Sequence, residues 1–253
     1  MKKFVLIGMI FCFSVFSLQV GFAADKEKGL VGYWKFDESS GTTAKDSSGK
    51  GNDGEVVGAE WVKGKIGNCL SFNGQDAYVE VAHNDELNPE KVTVSAWIKP
   101  EASSAADRGP IVVSKYSGPC FNGYLLLLEQ SSGCPAFHVA AGPDMHDGEI
   151  VGDACKAIAA KAVTEGKWVH VLGTYDGKKA NIYVNGVLVG SQEGIYTTEE
   201  NGMLCIGAQS WNTQLGLFTG LIDEVKVYNR VLSADEIKAL AAEGAGTATP
   251  AKK

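Results

Sequence analysis

The chain has 253 residues, with 23 basic and 30 acidic side chains and a net charge of −7. Nucleic acids and anionic membranes attract basic protein faces, so this acidic balance argues against both as partners. The length suits one large β domain, whose core needs no disulfide to be stable.

The first 23 residues have the order of a secretory signal peptide. Lys2 and Lys3 precede an apolar run over residues 4–16, and Gly21-Phe22-Ala23 then supplies the small residues of a cleavage point. The run is shorter than the ~20 residues of a membrane span, and no second run follows. We therefore expect a secreted or periplasmic protein without a membrane span; an uncleaved anchor is the alternative.

Most of the remaining chain has the pattern of short strands separated by glycine-rich turns. Apolar and polar residues alternate over residues 78–81, 92–98 and 168–175. Asn185-Gly186 follows one alternating run and precedes another, which predicts a hairpin, because Asn-Gly readily adopts the two positive φ angles of a type I′ turn.

One helix is predicted near the C-terminus. Ser233 and Glu236 form a capping box, and Ile237 and Leu240 share one apolar face behind it. The helix is short, and we expect it to pack on a sheet edge. Residues 244–253 are predicted to be a flexible tail.

Several short motifs follow one another in a specific order between residues 30 and 242. In chain order they include Gly32-Tyr33-Trp34-Lys35-Phe36-Asp37, Gly67-Asn68-Cys69-Leu70-Ser71-Phe72-Asn73-Gly74, Val94-Ser95-Ala96-Trp97-Ile98, Tyr183-Val184-Asn185-Gly186 and Gly220-Leu221-Ile222-Asp223-Glu224-Val225. Together they resemble the laminin-G-like (LamG) domains of the concanavalin A-like lectin/glucanase superfamily. The resemblance implies an all-β jelly-roll sandwich of two antiparallel sheets over residues 30–243. It also implies binding of glycans or proteins, often with calcium.

The fold alone does not assign a function, because it hosts lectins, adhesion modules and hydrolases. A retaining glycosidase needs two carboxylates ~5–5.5 Å apart, which on one strand means acids two residues apart. Glu80, Glu129 and Glu224 each lack such a partner two positions later, and no Gly-x-Ser-x-Gly nucleophile elbow occurs. We therefore predict a non-catalytic carbohydrate-binding or adhesive module whose partner is a glycan or an extracellular protein. The alternatives are a protein–protein interaction domain and a glycoside hydrolase or polysaccharide lyase.

Sugars stack their apolar faces on aromatic rings, while amides and acids bind their hydroxyls. The candidate ligand-binding residues are loop aromatics and neighbouring amides, namely Tyr116, Phe121, Asn122, Tyr196, Trp211 and Asn212. Trp34, Trp97 and Trp168 belong to strand motifs and are predicted to be core residues. Trp211 is the aromatic that a core role explains least, because it lies in a polar loop.

Residues 46–54 concentrate oxygen-bearing side chains in a glycine-rich loop. Calcium takes about six to eight oxygen ligands, many of them from short acids and carbonyls. Asp46, Asn52 and Asp53 are therefore candidate calcium ligands, and Asp223 is a candidate to complete the site. A plain turn is the alternative, because Asp, Ser, Asn and Gly favour turns.

The mature chain would keep five cysteines, an odd number, so at least one thiol is free or intermolecular. If residues 123–129, 135–141 and 155–163 are consecutive antiparallel strands, Cys120 and Cys155 lie at one end of the sheet. Cys134 then lies about 20 Å away at ~3.3 Å per residue, too far for a bond. We predict a Cys120–Cys155 disulfide, with Cys69 and Cys205 as a second possible pair.

Overall fold

The computed structural model describes residues 28–101, 109–116, 122–140, 145–146, 149–150, 155–199 and 201–244. The predicted signal peptide at residues 1–23 and all of the predicted tail except Gly244 lie outside them. Their boundaries, like the domain limits of 30 and 243, stay predictions.

The described chain consists of eighteen strands, one 3-10 turn and one α-helix. In chain order these are β1 (Leu30–Trp34), β2 (Thr43–Ala44), β3 (Gly54–Val57), β4 (Glu60–Lys63), β5 (Asn68–Asn73), β6 (Tyr78–Val81), a 3-10 turn (Asp85–Leu87), β7 (Val92–Pro100), β8 (Ile111–Tyr116), β9 (Gly123–Leu128), β10 (Pro135–Ala140), β11 (Met145–His146), β12 (Glu149–Ile150), β13 (Cys155–Ile158), β14 (Val169–Tyr175), β15 (Lys179–Val184), β16 (Val187–Glu193), β17 (Leu204–Ile206), β18 (Thr219–Tyr228) and α1 (Ala234–Ala242).

The strands form two large antiparallel sheets and one small hairpin. Sheet A has the order β16-β15-β14-β7-β18-β5-β4, with β1 also paired to β18, and sheet B has the order β13-β10-β9-β8-β17-β6-β3-β2. Strands β11 and β12 pair with each other to form the hairpin. Consecutive strands are often placed in different sheets, so the chain crosses the sandwich repeatedly. This is the two-sheet jelly-roll sandwich that the motif order predicted.

The main core lies between the two sheets. Its large, fully buried members include Trp34, Tyr124, Phe137 and Phe218. They lie on strands or loops of both sheets, and their neighbours along a strand point to the opposite face, as the two-residue period of a strand requires. The predicted strands at 78–81, 92–98 and 168–175 are all present, with ends shifted by at most two residues.

The predicted hairpin is confirmed. Asn185 and Gly186 have φ angles of 48° and 78°, and Val184 pairs with Val187 across the turn. The two positive φ angles are those of a type I′ turn, whose twist matches the flanking strands.

The predicted helix is also confirmed, with its capping box formed by Ser233 and Glu236. Ile237 and Leu240 pack against Leu172 and Tyr228, which lie on β14 and β18 in the middle of sheet A. The helix therefore covers the outer face of sheet A, and the expectation that it packs on a sheet edge is wrong. The reason is that the outer face is itself apolar there. No helix in the described part of the chain is long and apolar enough to cross a membrane.

Sheet B also carries apolar residues on its outer face. Residues paired across neighbouring strands share a face, and Ser114 pairs with Leu125, which pairs with His138. Leu125, Leu127 and Ala136 belong to a small buried cluster separate from the main core. Strands β8, β9 and β10 are thus buried on both faces. The unbroken run Leu125–Leu128 is the sequence signal of such strands, since strands buried on one face alternate.

Candidate functional site

Trp211 stands at the tip of the loop that connects β17 with β18. Among the described residues it is the one aromatic residue in the set of exposed large apolar side chains, with 41% of its surface accessible. The loop is closed at its base by a hydrogen bond from the Gln209 N–H to the Leu215 carbonyl, at 3.0 Å. A short closed loop therefore presents the ring to solvent.

The Trp211 loop is fastened to β8 by a buried pair of hydroxyl groups. The Ser210 hydroxyl accepts the Tyr116 N–H at 2.8 Å and donates to the Tyr116 carbonyl at 2.9 Å. The Ser114 hydroxyl lies 2.8 Å from the Ser210 hydroxyl and accepts the Ser210 N–H at 3.0 Å. These four bonds replace strand pairing at this point and hold Trp211 in a fixed position beside sheet B.

Four of the predicted ligand-binding residues meet at this end of sheet B. Tyr116 is paired with Gly123, which places Asn122 beside it, and Trp211 and Asn212 follow Ser210. The Asn212 carbonyl oxygen of the side chain accepts the Gln214 N–H at 3.1 Å. Of the four, Tyr116 is almost fully buried in the outer-face cluster, so its ring supports the surface and does not face a ligand.

Tyr196 is brought to the same end by its backbone, but its ring is in the wrong place for a ligand contact. Thr197 links Gly123 and Ala140 through two backbone hydrogen bonds. The Tyr196 ring instead packs on the main core and meets Tyr175 edge-on, with 5.3 Å between ring centroids. Phe121 lies outside the described residues, so its predicted role stays a prediction.

Two polar groups near this surface were not singled out by the sequence. His138 on the outer face binds Glu129 through a 2.8 Å hydrogen bond, which holds the pKa of the Glu129 carboxyl below its usual range against the opposing effect of burial. Gln209 is 1% exposed, and neither polar atom of its side-chain amide has a hydrogen-bond partner among the described residues. Buried amides are normally satisfied, so Gln209 marks a position where a water molecule or ligand group is needed.

The predicted calcium loop is held together by its own hydrogen bonds. The two carboxylate oxygens of Asp46 accept four of them, from the backbone N–H groups of Tyr33, Ser48 and Asn52 and from the Ser48 hydroxyl, at 2.8–3.0 Å. Partial burial alone would raise the pKa of Asp46, but these bonds together lower it. The Asp46 carboxylate therefore closes the turn in the manner of a backbone cap.

The other three predicted calcium ligands are also occupied. Asp53 accepts the Asp46 N–H and pairs with Lys45, and the Asn52 amide oxygen accepts from Asn84. The Asp223 carboxylate accepts the N–H groups of Lys65 and Ile66 in the turn between β4 and β5. Within the described ranges, no three acidic, His or Cys side chains are close enough together to hold a metal ion. Each of the four side chains therefore has a hydrogen-bonding role inside the protein, and calcium binding stays a prediction.

The cysteines form no disulfide among the described residues, where Cys69, Cys134, Cys155 and Cys205 are all free and buried. The strand arrangement behind the Cys120–Cys155 prediction is confirmed, since β9, β10 and β13 are adjacent and antiparallel. The Cys155 thiol, however, is free and donates to the Gln192 carbonyl at 3.0 Å. Cys120 itself lies outside the described residues.

The suggested Cys69–Cys205 pair does not form either. Cys69 is on β5 of sheet A, and Cys205 is on β17 of sheet B. Burial raises the pKa of each thiol to about 12, which keeps both protonated and unreactive at neutral pH.

The fold is shared with a domain of an arabinanase, with binding domains of toxins and with part of a sialidase chain. Domain 4 of an extracellular GH43 arabinanase from Geobacillus stearothermophilus, in complex with arabinotriose, matches with 21% identity and a TM-score of 0.65, covering 84% of this chain and 98% of that one. The binding domain of Paraclostridial Mosquitocidal Protein 1 matches with 18% identity and a TM-score of 0.63, covering 85% and 52%. A sialidase from Trypanosoma rangeli matches with 18% identity and a TM-score of 0.61, covering 84% and 32%.

These likenesses show the fold and leave the activity open, and a comparison with curated proteins gave no match. The family model is more specific, because it matches residues 73–238, well over half of the chain. That range runs from the end of β5 into α1 and includes the Trp211 loop and every strand of sheet B except β2 and β3. The chain therefore belongs to the Laminin_G_3 family of the concanavalin A-like lectin/glucanase superfamily.

Proposed function

We propose that the protein is a non-catalytic, exported glycan-binding module whose principal contact is the Trp211 ring. The exposure of this one aromatic side chain on a braced loop is the observation that carries the proposal. An indole ring offers a flat apolar surface to the C–H face of a sugar, and nearby amides such as Asn212 can bind its hydroxyls.

The rigidity of the Trp211 loop supports the same function. The bonds between Ser210, Ser114 and Tyr116 are formed inside the protein. A ring that is already held in place loses little conformational freedom when a ligand binds, so more of the contact energy appears as affinity. The arabinanase domain found with arabinotriose is a structural neighbour with this fold, which makes arabino-oligosaccharides a sensible first probe.

A glycoside hydrolase is the second candidate, and one observation favours it. Glu55 and Glu80 are direct partners on β3 and β6 and therefore face the same side of sheet B. Opposite residues have Cβ atoms about 4.5–5.5 Å apart, which overlaps the ~5–5.5 Å carboxylate spacing of retaining enzymes. The sequence search missed this pair because its members are 25 positions apart along the chain. Glu55 is exposed, so water has free access to it, which favours a surface role over catalysis.

The test is binding of residues 25–253 to a glycan panel that includes arabinotriose, with calcium and with chelator. We expect Trp211→Ala to weaken binding at least about tenfold, equivalent to 1.4 kcal/mol, while Trp211→Phe keeps most of it. Tyr196→Phe should have no effect, because the Tyr196 ring packs against the main core. Leu188→Ala is the matched control, since Leu188 is an exposed apolar residue on sheet A.

Each other outcome has a distinct meaning. Equal binding by Trp211→Ala and the wild type would remove the proposed contact surface. Binding that disappears in chelator would restore Asp46, Asn52 and Asp53 as calcium ligands. Release of reducing sugar by the wild type, abolished in Glu80→Gln, would establish the hydrolase. A complete lack of glycan binding would favour a protein partner, for which the exposed Val187 and Leu188 at the hairpin tip are the first residues to mutate.

A further inference from the structure

A pocket of about 570 Å³ lies next to the β15–β16 hairpin, on a part of the chain that the proposed function does not use. It is formed by the segment that follows β13, the start of β14 and the hairpin. The lining residues that carry polar or aromatic groups are Lys161, Thr164, Lys167, Trp168 and Asn185, and most of the others are alanine or valine. This volume falls within the range of about 300–1,000 Å³ typical of small-molecule sites.

Trp168 forms part of the wall of this pocket and is not a core residue, contrary to the prediction. Trp168 directly precedes β14, and it lines the pocket together with Val169, Val184 and Val189. Trp168 is half-buried, and its indole N–H has no acceptor among the described residues. The pocket therefore offers both a flat aromatic surface and an unused donor.

The polar side chains of the pocket are almost all hydrogen-bond donors. Lys161 and Lys167 are exposed and form no ion pair with any described residue. The Asn185 side-chain oxygen accepts the His170 N–H at 3.0 Å, which leaves the amide nitrogen as a donor. The Thr164 hydroxyl is the remaining polar side-chain group of the lining.

Among the described lining residues none is acidic, although the whole chain carries a net charge of −7. Glu165, the acid nearest in sequence, lines a neighbouring pocket that shares Ala162 and Val163 with this one. Two lysines that form no ion pair with any described residue, in a concave and partly apolar wall, give a local positive potential that attracts anions. The valine, alanine and indole groups of the wall suit the apolar face of a sugar ring better than the extended backbone of an acidic peptide.

We propose that this pocket binds a carboxylate-bearing sugar, a unit of the uronic acid class. The carboxylate pairs with Lys161 and Lys167, the ring stacks on Trp168, and the indole N–H and the Asn185 amide donate to ring hydroxyls or to the carboxylate. The site is separate from the Trp211 loop and does not depend on it. It would let one domain hold an acidic glycan at two points.

The experiment is calorimetric titration with trigalacturonate, with neutral galactotriose and triglutamate as comparison ligands. We expect trigalacturonate to bind the wild type, neutral galactotriose and triglutamate to bind at least tenfold more weakly, and added salt to reduce trigalacturonate binding. Lys161→Ala/Lys167→Ala should weaken it at least tenfold. Lys63→Ala/Lys178→Ala is the matched control, because it removes two exposed lysines that do not line the pocket.

Trp168→Phe keeps a ring but removes the indole donor, so we expect an intermediate loss of affinity and an unchanged circular dichroism spectrum. Trp211→Ala should leave trigalacturonate binding to the pocket intact, which separates this site from the proposed function. The inference is overturned if the wild type does not bind trigalacturonate, if both double variants lose binding equally, or if triglutamate binds as tightly as the sugar.

Discussion

Asp223 is a buried acid on the outer face of sheet A. One carboxylate oxygen accepts the N–H groups of Lys65 and Ile66, while the other is buried and has no hydrogen-bond partner in the part of the chain that the structure describes. Burial is the main reason that its pKa is raised to about 7, and the neighbouring Glu224 carboxylate adds to the effect. The Asp223 carboxyl group is therefore protonated in the folded protein over a pH range in which it is ionised in the unfolded chain.

His170 lies two strands away in the same row, beyond Trp97. Burial, with a smaller contribution from Lys226, lowers its pKa to about 4, so the folded protein keeps the ring neutral. Below the ordinary pKa of 6.5, His170 is protonated in the unfolded chain but stays neutral in the folded protein. The free energy of unfolding therefore falls as the pH falls from 6.5 to 4. Asp223 acts in the opposite direction, because stability falls as the pH rises from 3.8 to 7.

We predict that the free energy of unfolding of Asp223→Asn increases relative to that of the wild type as the pH rises from 4 to 7. Above pH 7 the difference should stay constant. The asparagine oxygen can still accept both N–H groups, and no charge is buried. The largest possible gain in the free energy of unfolding is about 1.4 kcal/mol for each unit by which the pKa of Asp223 differs between the folded and unfolded states. Urea unfolding at a series of pH values measures it. Asp76→Asn, which changes an exposed carboxylate, is the control and should show no such trend. A stability difference between Asp223→Asn and the wild type that does not change with pH would contradict the protonation of Asp223 in the folded protein.

At the scale of elements, α1 is the clearest case of a local sequence signal that tertiary contacts complete. Ser233 and Glu236 cap its first turn, and Arg230 pairs with Glu236, which lowers the pKa of that carboxyl to about 2. A nine-residue helix is too short to be stable alone, so its fold depends on Ile237 and Leu240 packing on sheet A.

We predict that Ser233→Ala lowers the free energy of unfolding by about 1 kcal/mol, because the N–H of residue 236 loses its acceptor. Ser233→Asp is the control, since aspartate also caps and should stay within a few tenths of a kcal/mol of the wild type. Chemical denaturation with unchanged m-values would measure both. If Ser233→Ala had the same free energy of unfolding as the wild type, packing alone would determine where the helix begins.

The strands show which element-level features local patterns predict. Alternation located β6, β7 and β14, and Asn185-Gly186 located the β15–β16 hairpin, because both signals act over a few residues. Trp168 was predicted to be a core residue because it belongs to a strand motif, and that prediction is wrong because Trp168 precedes its strand and lines a pocket. The packing position of the helix was also predicted wrongly, because the apolar outer face of sheet A that it covers is formed by distant segments.

At the scale of the whole molecule, the four described cysteines contribute to the fold as buried apolar side chains. All are free, and they are distributed over both sheets and the β9–β10 connection. A sandwich of this length buries enough apolar surface to be stable without cross-links.

We therefore predict that a reducing agent leaves the midpoint of urea unfolding unchanged. In the native protein a thiol reagent should modify Cys69 and Cys205 only slowly, and after unfolding it should modify both quickly. Cys69→Ala provides a reference for the loss of one buried thiol without any change in cross-linking. A lower midpoint after reduction would instead support the Cys120–Cys155 disulfide.

The family, the two-sheet sandwich, the type I′ hairpin and the capped helix could all be predicted from the sequence, because each depends on short-range periodicity, turn chemistry or motif order. Which of the residues meet is visible in the tertiary structure alone. The tertiary structure placed Ser210 against Ser114, Glu55 against Glu80, and Trp168 in one pocket wall with Lys161 and Lys167, and it showed that the Asp46 carboxylate is already saturated by hydrogen bonds. Such contacts join positions far apart in the chain, and they depend on which strand lies beside which.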